Sequence, residues 1–342
     1  DVEKIEGGSS VIDILVYLET CKGRRVYLDY RCNPGGGAVD FGSLDRDARE
    51  YLEKAGACFG TPIERLEHMN APAVDFYRDK GVDLHREPLE IALCAQHNNG
   101  GLSVDCWWQT DVEGLFAAGE AAGTHGVYRP GGTALNAGQV GSARAARYIA
   151  ARRQGKPEDG FEPAAEKALE EMEGLARRAL AGTGNVRKLW EEAGRRMSRW
   201  GGAMRNPEEI TGYLAEVKGY LDNFADLAAV EKKTQLQWLY RLRDMLISQY
   251  VYLYAMNDYV EKGGKSRGSA LYTDPEGKKP YEGLPEMFRF TLDDGRHDHM
   301  IQEIFYRDGD CGVQWRRARP IPKEDDFFEN VWREYRRDGN IR

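Results

Sequence analysis

Apolar positions along the chain recur with two periods, and each predicts a different kind of element. Between Ser9 and Lys22, residues Val11, Ile12, Leu15, Val16 and Leu18 fall at helical spacing behind serines that can cap. Arg25 to Tyr30 alternates as a strand does, and Asn33-Pro-Gly-Gly-Gly37 ends it. Ser43 is placed to cap a helix through about Lys54, and a second short helix is expected after Asn70-Ala-Pro. Leu89 to Gln96 reads as a strand with Ile91, Leu93 and Ala95 on one face, and Gly101 to Asp105 as the next. The tight turn His97–Gly101 would join them, with Asn98 and Asn99 filling its left-handed positions. Four apolar residues, Leu115 to Ala118, stand between glycines and predict a short strand covered on both faces. A helix follows from Thr133 to about Arg153.

Beyond Pro163 the pattern changes to charged amphipathic helices, at Pro163–Ala181, Val186–Arg199, Pro207–Asp222 and Ala229–Glu261. The last carries Leu236, Leu239, Leu242, Leu246 and Tyr250 along one stripe, and a three-helix arrangement is the economical packing. Met287 to Pro322 alternates as short antiparallel strands at Phe288–Thr291, Gln302–Tyr306 and Val313–Arg316. The fold class expected is therefore α/β followed by α, closing on a small antiparallel β region.

Length and composition narrow the function. With 342 residues, 41% of them hydrophobic, the chain can bury a sizeable core and hold two or more structural units. No run approaches the ~18 apolar residues of a membrane span, and the opening lacks a secretory signal pattern, so a cytoplasmic location is the default. A net charge of −8 disfavours nucleic acid and anionic membranes as partners. The six cysteines form no CxxC pair, which argues for reduced thiols and against zinc or iron–sulfur ligation. His297-Asp-His299 lies among Asp293, Asp294 and Asp298 and reads as a solvated hairpin; no metal site is expected. Trp107-Trp108 reads as an edge or interface pair.

The chemistry concentrates between Gln96 and Asn136. Gly119-Glu120 sets a carboxylate at the carboxyl end of the expected strand, where open α/β sheets bind ligands. Gly131-Gly132-Thr133 then offers unobstructed backbone N–H groups at a helix start, a natural acceptor for an electron-rich oxygen. The alternative roles are service of the helix dipole for Glu120, a salt bridge across the loop for Arg129, and holding the loop for His125.

The run Gly114-Leu-Phe-Ala-Ala-Gly-Glu120 followed by His125-Gly, Arg129, Gly131-Gly132 and Leu135 resembles a signature of the succinate dehydrogenase and fumarate reductase flavoprotein family. Lys265-Ser-Arg-Gly268 is similar to that family's motif after the long helix of its C-terminal helical domain. The resemblance implies an FAD-dependent oxidoreductase that moves a hydride between flavin N5 and an enoate-type or CH–CH substrate. It implies Glu120 on the ribityl chain, Gly119, Gly131 and Gly132 in the loop around the flavin, and Thr133, Ala134 and Leu135 at the pyrimidine end of the ring. It further implies Arg129 as the anchor of a substrate carboxylate, with His97 and His125 as candidate catalytic groups. The domains expected are residues 1–88 as part of a capping domain that closes over the flavin and substrate, and 89–155 as the C-terminal part of a glutathione-reductase-like FAD-binding domain. Residues 156–285 would be the helical domain and 286–342 a small extension.

Two departures qualify the resemblance. Aligned on Gly100-Gly101, the family's substrate-contacting histidine falls on Gln96, while His97 stands one place later. Either His97 swings in or Gln96 replaces it and the substrate differs, so 2-enoate reductase-type and aspartate oxidase-type substrates both remain open. The family's proton-delivering arginine would fall near Lys4 or before Asp1, so the proton donor is not named. No strand–GxGxxG–helix unit is present. The expected partner is therefore an N-terminal FAD-binding half, from the same gene or another chain, without which FAD binding should be weak or absent. A small-molecule substrate and an unidentified electron partner complete the list. The rival class is a non-catalytic docking or assembly module.

Overall fold

The structure is a computed structural model describing residues 1–94, 96–97, 99–126, 129, 132–152, 160–320 and 327–338. Contacts divide the chain into two units, Gly7–Cys94 and a second made of Asp1–Glu6 with Ala95–Arg342.

In the first unit, α1 (Ser10–Cys21) begins behind Ser9 and buries Ile14 and Val16. β1 (Val26–Leu28) pairs antiparallel with β2 (Leu89–Ile91), Val26 opposite Ile91. The strand expected to reach Gln96 stops at Ile91 because the partner backbone is committed elsewhere: Arg24 N–H already donates to the Glu19 carbonyl at 3.1 Å. Ser43 is not a helix cap. It closes a 3-10 turn, Phe41–Ser43, capped by Asp40, and α2 (Arg46–Lys54) starts after Asp45. α3 (Pro62–Asp79) opens with proline behind a Thr61/Glu64 capping box. The separate helix expected after Asn70-Ala-Pro is instead the second half of α3, bent at Asn70 (φ −158°, ψ 66°), two residues ahead of Pro72. Proline lacks an N–H and crowds the preceding turn, which bends the helix here without ending it. Ile63, Val74 and Leu84 form this unit's small core.

The second unit is mainly helical. α4 (Thr133–Arg152) and α5 (Phe161–Leu180) are followed by α6 (Val186–Trp200) and the two-residue strand β3 (Met204–Arg205). Next come α7 (Pro207–Asp222), the single turn α8 (Phe224–Leu227) and α9 (Leu236–Glu261). α6, α7 and α9 pack pairwise. Ile210, Val217, Leu239 and Leu253 have no exposed surface. α9 begins at Leu236, later than Ala229, because the buried stretch before it bonds sideways: Val230 N donates to Ala179 O, and Asn185 N to Ala229 O, both at 3.0 Å. Inside the bundle, Tyr213 Oη donates to Gln249 Oε1 at 2.9 Å, and burial pushes its pKa up to about 12.

β4 (Leu271–Tyr272) pairs in parallel with β3. β5 (Met300–Arg307) and β6 (Asp310–Arg317) form an antiparallel hairpin across Asp308-Gly309, both at positive φ, the geometry a two-residue hairpin loop requires. Asp258 of α9 ties the hairpin down by accepting from Gln302 Nε2 and Trp315 Nε1, each at 2.8 Å. The strand expected at Phe288–Thr291 is absent. Glu286–Phe288 is a 3-10 turn that sinks Phe288 into the core, and only Phe290 makes a bridge, to Lys278. α10 (Phe327–Asp338) follows. No described helix is long and apolar enough to cross a membrane, and all six cysteines are free thiols.

Candidate active site

The site is built on one close backbone crossing. Leu102 N donates to Ala121 O at 2.7 Å, pressing Gly100-Gly101 against the 3-10 turn Gly119–Ala122 and Gly123. A Cβ on Gly101 would lie 2.3 Å from Gly123 N, and Gly123 itself sits at φ +65°, so glycine is required on both sides. Neither Gly101–Asp105 nor Leu115–Ala118 is a strand. Asp105 Oδ1 accepts from Trp107 N at 2.7 Å and Gln109 N at 3.0 Å, turning the chain sharply. Thr110 N then donates to Leu115 O and Ala117 N to Trp108 O, so Phe116 pairs only with Gln109 and Leu115 stays half exposed. Glycines and apolar residues mark a buried strand only where neighbouring strands cover it, and this segment folds back on itself instead.

α4 approaches through two glycines one turn apart. A Cβ on Gly138 would lie 3.5 Å from Gly119 Cα, and one on Gly141 would strike the Trp108 indole at 2.4 Å. This i, i+3 glycine pair is the sequence signal of that packing face. Trp107 stacks on Tyr148 of α4 with ring centroids 5.5 Å apart and lies beneath the Arg144 guanidinium at 4.5 Å, so the tryptophan pair packs on α4.

Four of the candidate residues come together on this scaffold. His97 Nδ1 lies 2.9 Å from Glu120 Oε2, and Arg129 Nη2 lies 3.3 Å from His97 Nε2. The His125 ring stacks on His97, 5.4 Å between centroids and 8° from parallel. Gln96 is exposed and is not hydrogen-bonded to this group. Gly119 and Gly132 hold left-handed conformations with open space where a Cβ would be. At the start of α4, Thr133 and Ala134 are half-buried and Leu135 is exposed. Gly131 and Asn98 lie outside the described residues, as does Arg153 at the expected end of α4. His97, Glu120 and His125 also bring one possible metal-ligand atom each within 4.8 Å of one another. The sequence predicts no metal site, whereas these three side chains could hold an ion. His297 is held by Lys262 O at 3.1 Å and leans on Trp315.

Among the described residues, the buried side-chain polar atoms without a partner are Trp108 Nε1, Gln109 Oε1, both ring nitrogens of His125 and Arg129 Nε. All five fall between Trp108 and Arg129. Leaving such a group unsatisfied costs about 1–3 kcal/mol, and of these residues His125 and Arg129 stand against His97, where a polar ligand would satisfy them. Trp108 and Gln109 carried no legible sign of this in the sequence. The glycine positions with open space, the helix start at Thr133 and these unpaired atoms suit a large polar, aromatic cofactor.

The family of FAD binding domains matches residues 44–135. The CoM/CoB fumarate reductase of Methanothermobacter marburgensis has a subunit that is 42% identical over 85 residues, covering 25% of this chain and 16% of that protein. An uncharacterised FAD-dependent oxidoreductase of Methanocaldococcus jannaschii is 30% identical over 227 residues, 65% of this chain and 40% of its own. A solved quinol-fumarate reductase shares the fold with a TM-score of 0.63 at 20% identity, over 92% of this chain and 49% of that one. The chain thus spans less than half the length of each of these proteins. It is similar, over part of its length, to a fumarate reductase subunit and to another FAD-dependent oxidoreductase, and the cofactor it shares with them is FAD.

Proposed function

We propose that the chain forms the flavin-ring and substrate side of an oxidoreductase acting on a CH–CH or C=C bond of a carboxylate-bearing substrate. The unpartnered polar atoms of His125 and Arg129, both set against His97, are the observation that carries this reading. When bound, FAD supplies hydride transfer at its N5. Glu120 and the open backbone at Gly119 and Gly132 hold the cofactor, and the N–H groups at Thr133, Ala134 and Leu135 bring positive potential to its pyrimidine edge. Arg129 binds a substrate carboxylate, for which a fixed planar guanidinium is suited, and so orients the reacting carbon. His125, with both nitrogens buried and unpartnered, takes a polar group of the ligand. A dinucleotide-binding half on the same polypeptide or another chain completes the cofactor site.

The test is anaerobic turnover of the complete FAD-loaded protein with a reduced viologen and a panel of enoates, fumarate included. Oxidation of the viologen that depends on a carboxylate-bearing enoate is expected. A protein that holds FAD and turns over none of the panel would refute this assignment.

A further inference from the structure

His97 stands between a carboxylate and a guanidinium, and those two neighbours dictate where its proton lies. Arginine only donates hydrogen bonds, so Nε2, which faces Arg129 Nη2 at 3.3 Å, must present a lone pair. A neutral imidazole with a lone pair on Nε2 carries its proton on Nδ1, and Nδ1 faces Glu120 Oε2 at 2.9 Å. Both contacts are satisfied by one tautomer. The other neutral tautomer would set a lone pair against the carboxylate and an N–H against the guanidinium. The imidazolium would also turn an N–H toward Arg129.

We infer that His97 is a positioning residue: Glu120 locks it in the Nδ1–H tautomer, and the lone pair so directed at Nε2 holds the Arg129 guanidinium in place. The one-residue displacement of His97 relative to Gly100-Gly101 then has a purpose of its own. The histidine reaches its carboxylate and arginine neighbours and braces the substrate-binding arginine, in place of touching substrate itself. His125, stacked face to face on His97, blocks one side of the ring and limits its reorientation. The consequence is that Glu120 governs Arg129 without touching it, because removing the carboxylate frees the tautomer and withdraws the acceptor that Arg129 uses. The importance of Arg129 for substrate rests on the proposed function; the bridge does not.

The experiment is nitrogen-15 NMR of the complete protein, stripped of flavin and labelled on histidine and arginine, with His97 assigned by the signals missing from His97→Gln. A pyrrole-type Nδ1 and a pyridine-type Nε2 resonance are expected for His97 in the wild-type protein. In Glu120→Ala the two signals should draw together as the ring gains access to both tautomers, and the resolved Nη signals of Arg129 should merge as its rotation is released. A structural role alone would move neither. A wild-type His97 found as the Nε2–H tautomer or as imidazolium overturns the inference, as does a Glu120→Ala spectrum with His97 and Arg129 unchanged. The wild-type spectrum decides the matter even if Glu120→Ala does not fold. Failure of enoate turnover with the expected tautomer in place would instead count against the proposed function and leave the bridge standing.

Discussion

The helical region from α5 to α9 and the segment from Gln96 to Asn136 belong to the same compact unit and are built on opposite terms. In the helices, apolar stripes meet apolar stripes, and even the buried polar pair Tyr213 and Gln249 is satisfied internally. In the loop segment, Leu102, Val112, Leu115 and Leu135 are exposed, and the unpartnered buried polar atoms of the described structure gather there. One region is finished by its own side chains. The other leaves buried polar atoms unmet among the described residues, the difference expected between a binding surface and a core.

Substitutions can break this contrast, and the largest effect belongs to the core. Leu239→Ala removes a side chain with no exposed surface and should cost about 2–5 kcal/mol, read as a lowered urea midpoint. Arg129→Lys should leave that midpoint in place and lower turnover by about 100-fold while FAD is retained, since a lysine cannot reproduce the planar fork. Equal turnover of the two proteins would remove Arg129 from the site. Gly123→Ala forces a side chain into φ +65° and sets its Cβ 2.7 Å from Gly101 N, so about 1–3 kcal/mol of stability should be lost, together with FAD retention.

The smallest effect is acid sensitivity beyond the long helix. The Lys265 ammonium, 2.8 Å from Asp274 and aided by the Thr291 hydroxyl, holds that carboxyl below its ordinary value of 3.8. A carboxyl with a depressed folded-state pKa contributes stability above its unfolded value and loses it as the pH falls through the folded one. Urea midpoints should therefore decline below about pH 3.8, and Asp274→Asn should flatten part of that decline.

The two regions were unequally legible in the sequence. α7 was read to the residue, and α6 to within one at its end, because an amphipathic helix states its own period and caps. The stripe on α9 was legible too, but its start was not, since Ala228 to Val230 are buried and their backbone is bonded to distant partners. The loop segment yielded its glycines and charged residues but not its path. A strand is defined by its neighbours, and the Asp105 turn that folds residues 107–117 back on themselves leaves Leu115–Ala118 without any. That Arg129, His97 and Glu120 would form a chain of hydrogen bonds was likewise beyond reach, because spacing in sequence says nothing about which nitrogen faces which partner.

In the proposed function the loop and the start of α4 hold the flavin. Titration of FAD into the flavin-stripped complete protein, wild type and Glu120→Ala, followed by the visible flavin band, tests it most directly. Binding about 10- to 100-fold weaker is expected in Glu120→Ala, the worth of hydrogen bonds to a charged group. Equal affinity in the two proteins would contradict it.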